Sequence, residues 1–430
     1  MKKTVRRSFF KDALSIFTSK IAVLLISFVN GVLLARLLGP EGKGVVAAIL
    51  VYPGLLISLF ELGIRQSVIY HIGRDDFDRN TVIGAIVWLF VMTSLIGSSV
   101  TFFLLLPRIG VYPTLAIFFA ISLVPLRLVK SYAGGIMVGA QQFSSFSRIL
   151  WIPPFISLIG TLMLVWYLGT GVVGAIAATF SGALIVAIYA LVIAGRSVGA
   201  SFRFSTPVAI RLFRMGILYA VSLFVINLNY RIDIIFLEHL TDTAEVGYYS
   251  LGVRFAELVW QVPSAVGVVV FARSAAAKGS QVFSLKVLQL FRVVLVLCSI
   301  IAALLWFTAD WFIPLIYGEA FRASSGMMKF LLPGIVFAVL YKVIHMDMAG
   351  RGKPWKAMIA SIPALVVNLI LNMLFIPRFG GSGAAVASSF SYAIIGVSYL
   401  FVYLDETGLK FKDVLRFRLS DFPRFSEYGR

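Results

Sequence analysis

The sequence predicts an all-α integral membrane protein with about 12 transmembrane helices, built as two six-helix bundles related by a pseudo-twofold parallel repeat around a central cavity. Three observations carry this prediction. Of 430 residues, 60% are hydrophobic and only 13% charged, and the mean hydropathy is +0.96, far above that of an ordinary soluble domain. Apolar runs recur at the roughly 20 residues needed to cross about 30 Å of hydrocarbon. The two halves also echo each other: Gly171-Val-Val-Gly174-Ala-Ile-Ala-Ala178 recurs as Gly380-Gly-Ser-Gly383-Ala-Ala-Val-Ala387, and Gly44 recurs as Gly247, at offsets of 209 and 203 residues. Six helices per half is an even number, so the repeats run parallel.

The first span, 13–38, follows the basic stretch MKKTVRRSFFKD. That start resembles a signal peptide, but its apolar stretch is too long for a removable segment and has no small-residue cleavage site. The spans at 45–66, 81–106, 113–140, 149–168 and 172–195 complete the first half. The second half holds 214–238, 246–272, 287–309, 326–350, 357–376 and 382–404. All are read as helices, because lipid cannot satisfy an open strand edge. Pro53-Gly54, Pro125, Pro263, Pro333-Gly334 and Pro363 lie inside spans, where the lost backbone bond permits a kink. Residues 1–196 thus form an N-terminal lobe, 197–213 a cytoplasmic linker, 214–404 a C-terminal lobe and 405–430 a basic cytoplasmic tail.

The basic residues orient the chain. With both termini cytoplasmic, 24 of the 38 Lys and Arg face the cytoplasm and only Arg36, Lys43, Arg108, Arg322 and Arg378 lie opposite, as the positive-inside rule requires. The net charge of +19 is therefore topological, and no nucleic-acid partner follows from it. One cysteine, Cys298, and three histidines leave no intrachain disulfide and no Cys/His metal cluster. Gly42-Lys43-Gly44 and Gly352-Lys353-Pro354 lack the spacing of a phosphate loop, and no connection is long enough for a soluble catalytic domain. His71 and His239 sit at helix ends, and paired carboxylates are absent, so general acid–base machinery is missing. The sequence points away from an enzyme and from cofactors, and toward a protein that moves something.

Nine basic residues remain in or beside spans: Lys20, Arg65, Arg127, Lys130, Arg231, Arg254, Arg292, Lys329 and Lys342. The acids at such depths are Glu61, Asp233, Glu257 and Asp347. A charge at a helix centre costs about 2.5–3.5 kcal/mol unless it meets water or a counter-ion, so the positive excess predicts a cavity that prefers an anion. Arg127 and Lys130 share a face of the fourth span and repel unless an anion or a carboxylate such as Glu61 sits between them. Asn227, Asn229, Arg231 and Asp233 alternate along the seventh span, which predicts a helix that borders water or breaks locally. Arg254 and Glu257 are spaced for a self-contained ion pair or for the cavity. Lys342 shares a face with His345, read as a hydrogen-bonded core residue. Arg65, Arg292, Lys329 and Lys20 lie near span ends and can snorkel. The four acids are the candidates for a driving cation.

Several strings resemble a known family. Ala35-Arg36-Leu-Leu-Gly39-Pro40-Glu41-Gly42-Lys43-Gly44, Asn229-Tyr-Arg231-Ile-Asp233, Val246-Gly247-Tyr248-Tyr249-Ser250 and Asn372-Met-Leu-Phe-Ile-Pro377-Arg378-Phe-Gly380 resemble the polysaccharide-transport flippases. These belong to the multidrug/oligosaccharidyl-lipid/polysaccharide exporter superfamily. The resemblance implies a V-shaped pair of bundles in a bacterial or archaeal cytoplasmic membrane. It implies alternating access that moves a polyprenyl-pyrophosphate-linked oligosaccharide, such as an O-antigen unit, to the outer leaflet, beside a polysaccharide polymerase and other assembly proteins. Substrate contacts carry over to Arg231 and Arg254, and to Arg36 and Arg65, beside Arg127, Lys130 and Lys342 from the charge reading. Twelve spans depart from the fourteen of the lipid-linked peptidoglycan-precursor flippases. Rival readings are a cation-coupled multidrug exporter, which needs a carboxylate-dominated cavity, and a non-transporting partner of a glycan-synthesis complex.

Overall fold

A computed structural model describes residues 2–74, 77–196, 205–276, 280–353 and 355–415, with side chains from Thr18 onward apart from a few inside helices. Residues 197–204 of the expected linker, Lys278, Pro354 and the tail beyond 415 lie outside the described residues. The described chain is helical throughout, interrupted only by turns and a single isolated bridge between Ile109 and Tyr112.

In order, the helices are α1 (Lys2–Phe60), α2 (Ile64–Arg74), α3 (Arg79–Leu105), α4 (Thr114–Gly139), α5 (Phe143–Gly160), α6 (Gly171–Arg196), α7 (Thr206–Leu240), α8 (Thr243–Ala256), α9 (Gln261–Ala276), α10 (Gln281–Tyr317), α11 (Ala323–Gly350), α12 (Lys356–Thr407) and α13 (Phe411–Leu415). Ten helical stretches among the described residues are long and apolar enough to cross a membrane. Two of them are broken. In α1 the chain turns at Gly39 (φ 65°), and in α12 at Gly380 (φ 53°), left-handed conformations that a side chain with a Cβ resists. Each broken helix supplies two spans, so the described residues hold the twelve spans expected.

The repeat is visible in the backbone. Gly171 (φ 59°) opens α6 as Gly380 opens the last span, and the break at Gly39 has its counterpart at Asp242, whose carboxylate caps α8 at the Glu245 amide, 2.8 Å away. One expected span is shorter. Instead of running to residue 66, the second ends at Phe60, because Leu62 (φ 50°) and Gly63 (φ 58°) are left-handed and start the separate short helix α2.

The chain divides into two compact units, 1–224 and 225–430. In the first, α2, α3, α4 and the start of α7 share a core. Ile64, Val68 and Ile72 recur at four-residue spacing, as do Val124, Leu128, Tyr132 and Ile136, so each helix presents one continuous apolar ridge. In the second, α11 is the most enclosed span and packs against α8, α9, α10 and α12. Where Pro333 interrupts its hydrogen-bond ladder, the Gly334 amide donates to Ser389 Oγ of α12 at 2.8 Å. Pro263 stands at the junction where a tight turn, Glu257–Trp260, joins α8 to α9. Pro53, Pro125 and Pro363 are carried inside continuous helices.

Candidate functional site

In the first unit three cations gather around α4. Arg127 and Lys130 are half-buried one turn apart, and Arg127 and Arg65 both lie within electrostatic reach of Lys130. Arg65, one residue into α2, rests over the ring of Phe146 at 5.8 Å. Among the described residues, Arg127 and Lys130 make no ion pair or hydrogen bond. The acid expected to serve them is committed elsewhere: Glu61 Oε1 accepts from Ser131 Oγ at 2.6 Å. Tyr132, the next residue, donates to the Phe60 carbonyl at 3.2 Å and ties α4 to the end of α1. Arg36 is exposed beside the Gly39 break and has an interaction of its own.

The second unit arranges its charges differently. Arg231 Nη2 meets Glu257 Oε2 at 3.1 Å, with side chains 38% and 22% exposed. Glu257, the first residue of the 3₁₀ turn that follows α8, therefore serves Arg231 on α7 as well as lying near Arg254, so the Arg254–Glu257 pair is not self-contained. Arg254 is exposed, within electrostatic reach of Glu257, Arg231 and Tyr317. Lys342 Nζ sits 4.0 Å from the ring centre of Trp260 and 5.1 Å from that of Tyr230, a cation held by ring faces. Tyr230, Trp260 and Tyr392 pack mutually at 5.2 to 5.6 Å, and Trp260 Nε1 donates to the Ile335 carbonyl at 3.0 Å. His345, one turn on, contacts Tyr399 OH at 3.2 Å and stacks on Tyr341.

The seventh span does not break. Asn229 and Asp233, four apart, share the face of α7 turned to α12, while Arg231 leaves on another. Asn229 Oδ1 accepts from Ser391 Oγ at 2.7 Å and its carbonyl from Asn368 Nδ2 at 2.9 Å. Asn372 Nδ2 donates to Asn368 Oδ1 at 2.7 Å. Asp233, fully buried, accepts from Tyr249 OH, from Ser388 Oγ at 2.8 Å and from the Ile234 amide at 2.8 Å. Asp347, also fully buried, is enclosed by Ser274 Oγ at 2.5 Å, Ser284 Oγ and Tyr403 OH at 2.7 Å, and Arg351 Nε at 3.2 Å.

Sequence reasoning missed the aromatic trio, because its members come from α7, the 3₁₀ turn and α12. It also missed the polar ladder of Asn368, Asn372, Ser388 and Ser391. Polar residues three or four apart in two apolar spans were the signal for that ladder.

These observations describe a twelve-span helical membrane protein with cations inside its spans, and its sequence relatives agree. Residues 9–275, more than half of the chain, match the family described as polysaccharide biosynthesis protein. The chain belongs to that family. A second family, MatE, matches residues 219–374, as expected where polysaccharide biosynthesis proteins and MATE transporters share the MOP superfamily. The probable low-salt glycan biosynthesis flippase Agl15 of Haloferax volcanii is 27% identical over 104 residues, which are 24% of this chain and 22% of that protein. Among solved structures, lipid II flippase MurJ in an inward closed conformation superposes with a TM-score of 0.73 at 16% identity, covering 94% of this chain and 89% of that one. An inward-facing multidrug resistance MATE family transporter of the MOP superfamily gives 0.69 at 16% identity, covering 89% and 94%. At such identities the likeness concerns the fold, and the multi-pass architecture of this polysaccharide biosynthesis protein is that fold.

Proposed function

We propose that the protein is a flippase that moves a polyprenyl-pyrophosphate-linked oligosaccharide from the cytoplasmic to the outer leaflet by alternating access, for cell-surface polysaccharide assembly. The observation that carries this reading is the group of Arg65, Arg127 and Lys130. Cations kept inside spans without a carboxylate are costly, and an anionic headgroup is the partner that repays that cost. Arg231, Arg254 and Lys342 add a second cationic group, three cations against Glu257 bonded to Arg231 and Asp233 at longer range. The lipid tail stays in the bilayer throughout. Both termini face the cytoplasm, the linker at 197–213 joins the two lobes, and a polysaccharide polymerase is the consumer on the outer side.

Asp233 is the candidate for a coupling cation, because it is fully buried beside the hydroxyl oxygens of Tyr249 on α8 and Ser388 on α12, with no cationic side chain among the described residues bonded to it. Asp347 is a structural clasp in this reading, since Arg351 already supplies its counter-charge at 3.2 Å. Glu61 and Glu257 serve to position Ser131 and Arg231.

The test is reconstitution in liposomes with a polyprenyl-pyrophosphate oligosaccharide, reading its arrival in the opposite leaflet. Wild-type protein transfers the lipid and Arg231→Ala loses transfer while still inserting. The match of residues 219–374 to MatE favours a second reading, cation-coupled drug export. Transport of a cationic dye, with no transfer of the glycolipid, would establish it in place of the first. A third, a non-transporting partner of a glycan-synthesis complex, is met if neither ligand moves.

A further inference from the structure

At the junction of α10 and α11 the second unit carries a cleft of about 430 Å³ lined by Asp310, Trp311, Pro314, Leu315, Glu319 and Arg322. That volume lies within the range of small-molecule sites, about 300–1,000 Å³. Gly318 turns the chain with φ 100° and its amide returns to the Pro314 carbonyl at 2.8 Å. Tyr317 and Phe321 on either side are buried and pack edge-to-face. Arg322 grips Glu319 with two bonds of 2.8 Å, and Lys329 Nζ meets Asp310 Oδ2 at 2.5 Å.

Two features identify the ligand. The charges are balanced: each acid of the cleft has its own cation, so neither an anion nor a cation gains from entering, whereas a neutral polyhydroxyl compound finds both donors and acceptors already oriented. The Trp311 indole, 66% exposed, offers the flat electron-rich face on which the C–H bonds of a sugar ring lie. Its height also fits. Ile300, Leu304, Phe307, Trp311 and Leu315 recur at three- and four-residue spacing as one exposed apolar stripe of α10, and the cleft sits where that stripe meets charged residues, at the edge of the hydrocarbon. On the topology set by the basic residues, this is the outer edge.

We propose that this cleft is a carbohydrate subsite, separate from the cationic groups within the spans, that holds neutral sugar residues of a membrane-anchored glycan on the receiving side. The identity of that glycan rests on the flippase reading; sugar binding itself does not. The experiment is saturation-transfer NMR on the full-length protein in nanodiscs, with cellobiose and N,N′-diacetylchitobiose as neutral probes and glucuronate as a charged one. We expect transfer to at least one neutral disaccharide, cut at least fivefold in Trp311→Ala and in Arg322→Gln and largely kept in Trp311→Phe, with each variant melting as wild type does. No transfer to either disaccharide, equal transfer in Trp311→Ala, or stronger transfer to glucuronate overturns the proposal and leaves Trp311 as an interfacial anchor. Protein that binds disaccharide through Trp311 but does not translocate the glycolipid keeps this site and loses the transport reading. Translocation without disaccharide binding does the reverse.

Discussion

In the first unit Arg127 and Lys130 stand on α4 with Arg65 close by, and Glu61, the acid expected to serve them, accepts from Ser131 instead. In the second unit Arg231 has Glu257 and Lys342 has the faces of Trp260 and Tyr230. Two halves of one repeated fold thus treat the cations inside their spans differently. One half leaves positive potential unanswered, and the other answers it with a carboxylate and with aromatic quadrupoles. The lesson is that equal numbers of cations are not equal sites: the first unit's group is poised to take an anion, while part of the second unit's group also holds its own helices together.

That difference predicts opposite signs for neutralisation in the two units. The largest expected effect is in the second unit, away from its cations. Asp347→Ala leaves Arg351, Ser274, Ser284 and Tyr403 without their shared acceptor and lowers stability by about 3 kcal/mol, read as a fall in melting temperature, with transport per folded molecule preserved. Arg231→Ala strands Glu257 and costs about 1–2 kcal/mol. Adding Glu257→Gln restores the melting temperature but not export, so that stability and transport separate. In the first unit the sign reverses: Arg127→Gln with Lys130→Gln removes two unanswered charges and raises stability by about 1 kcal/mol. A fall there would mean that the pair has an internal partner and would erase the contrast. The smallest effect is Lys342→Met, which removes a cation–π contact worth about 0.5–1 kcal/mol and slows export several-fold.

Much of this was legible in the sequence. Run lengths and paired glycines located the twelve spans, because hydrocarbon thickness and left-handed turns are local constraints. The cations were legible because a charge in an apolar run announces itself. Their partners were not. Glu257 was spaced for an ion pair with Arg254 or for the cavity, and spacing along one helix could not show that Arg231 of α7 bonds it. Glu61 looked available to Arg127 and Lys130, and only the end of α1 at Phe60 places it on Ser131. The alternation from Asn227 to Asp233 read as a helix that borders water or breaks; the helix is intact, Arg231 is part-exposed, and α12 supplies Asn368, Ser388 and Ser391 to receive the other face. In each case the partner came from another helix, and no periodicity within one helix records such a meeting.

The central claim is that the first unit's cations are there for an anionic headgroup. The most direct measurement is leaflet-to-leaflet flux in liposomes of a polyprenyl-pyrophosphate oligosaccharide against a cationic dye, for wild type and for Arg127→Gln/Lys130→Gln. The account predicts that the double variant, folded and inserted, loses glycolipid flux at least about a hundredfold, the lower bound for two charge-assisted contacts at about 1.5–3 kcal/mol each, and that neither protein moves the dye. Glycolipid flux unchanged in the double variant, or dye moved by the wild type, would contradict it.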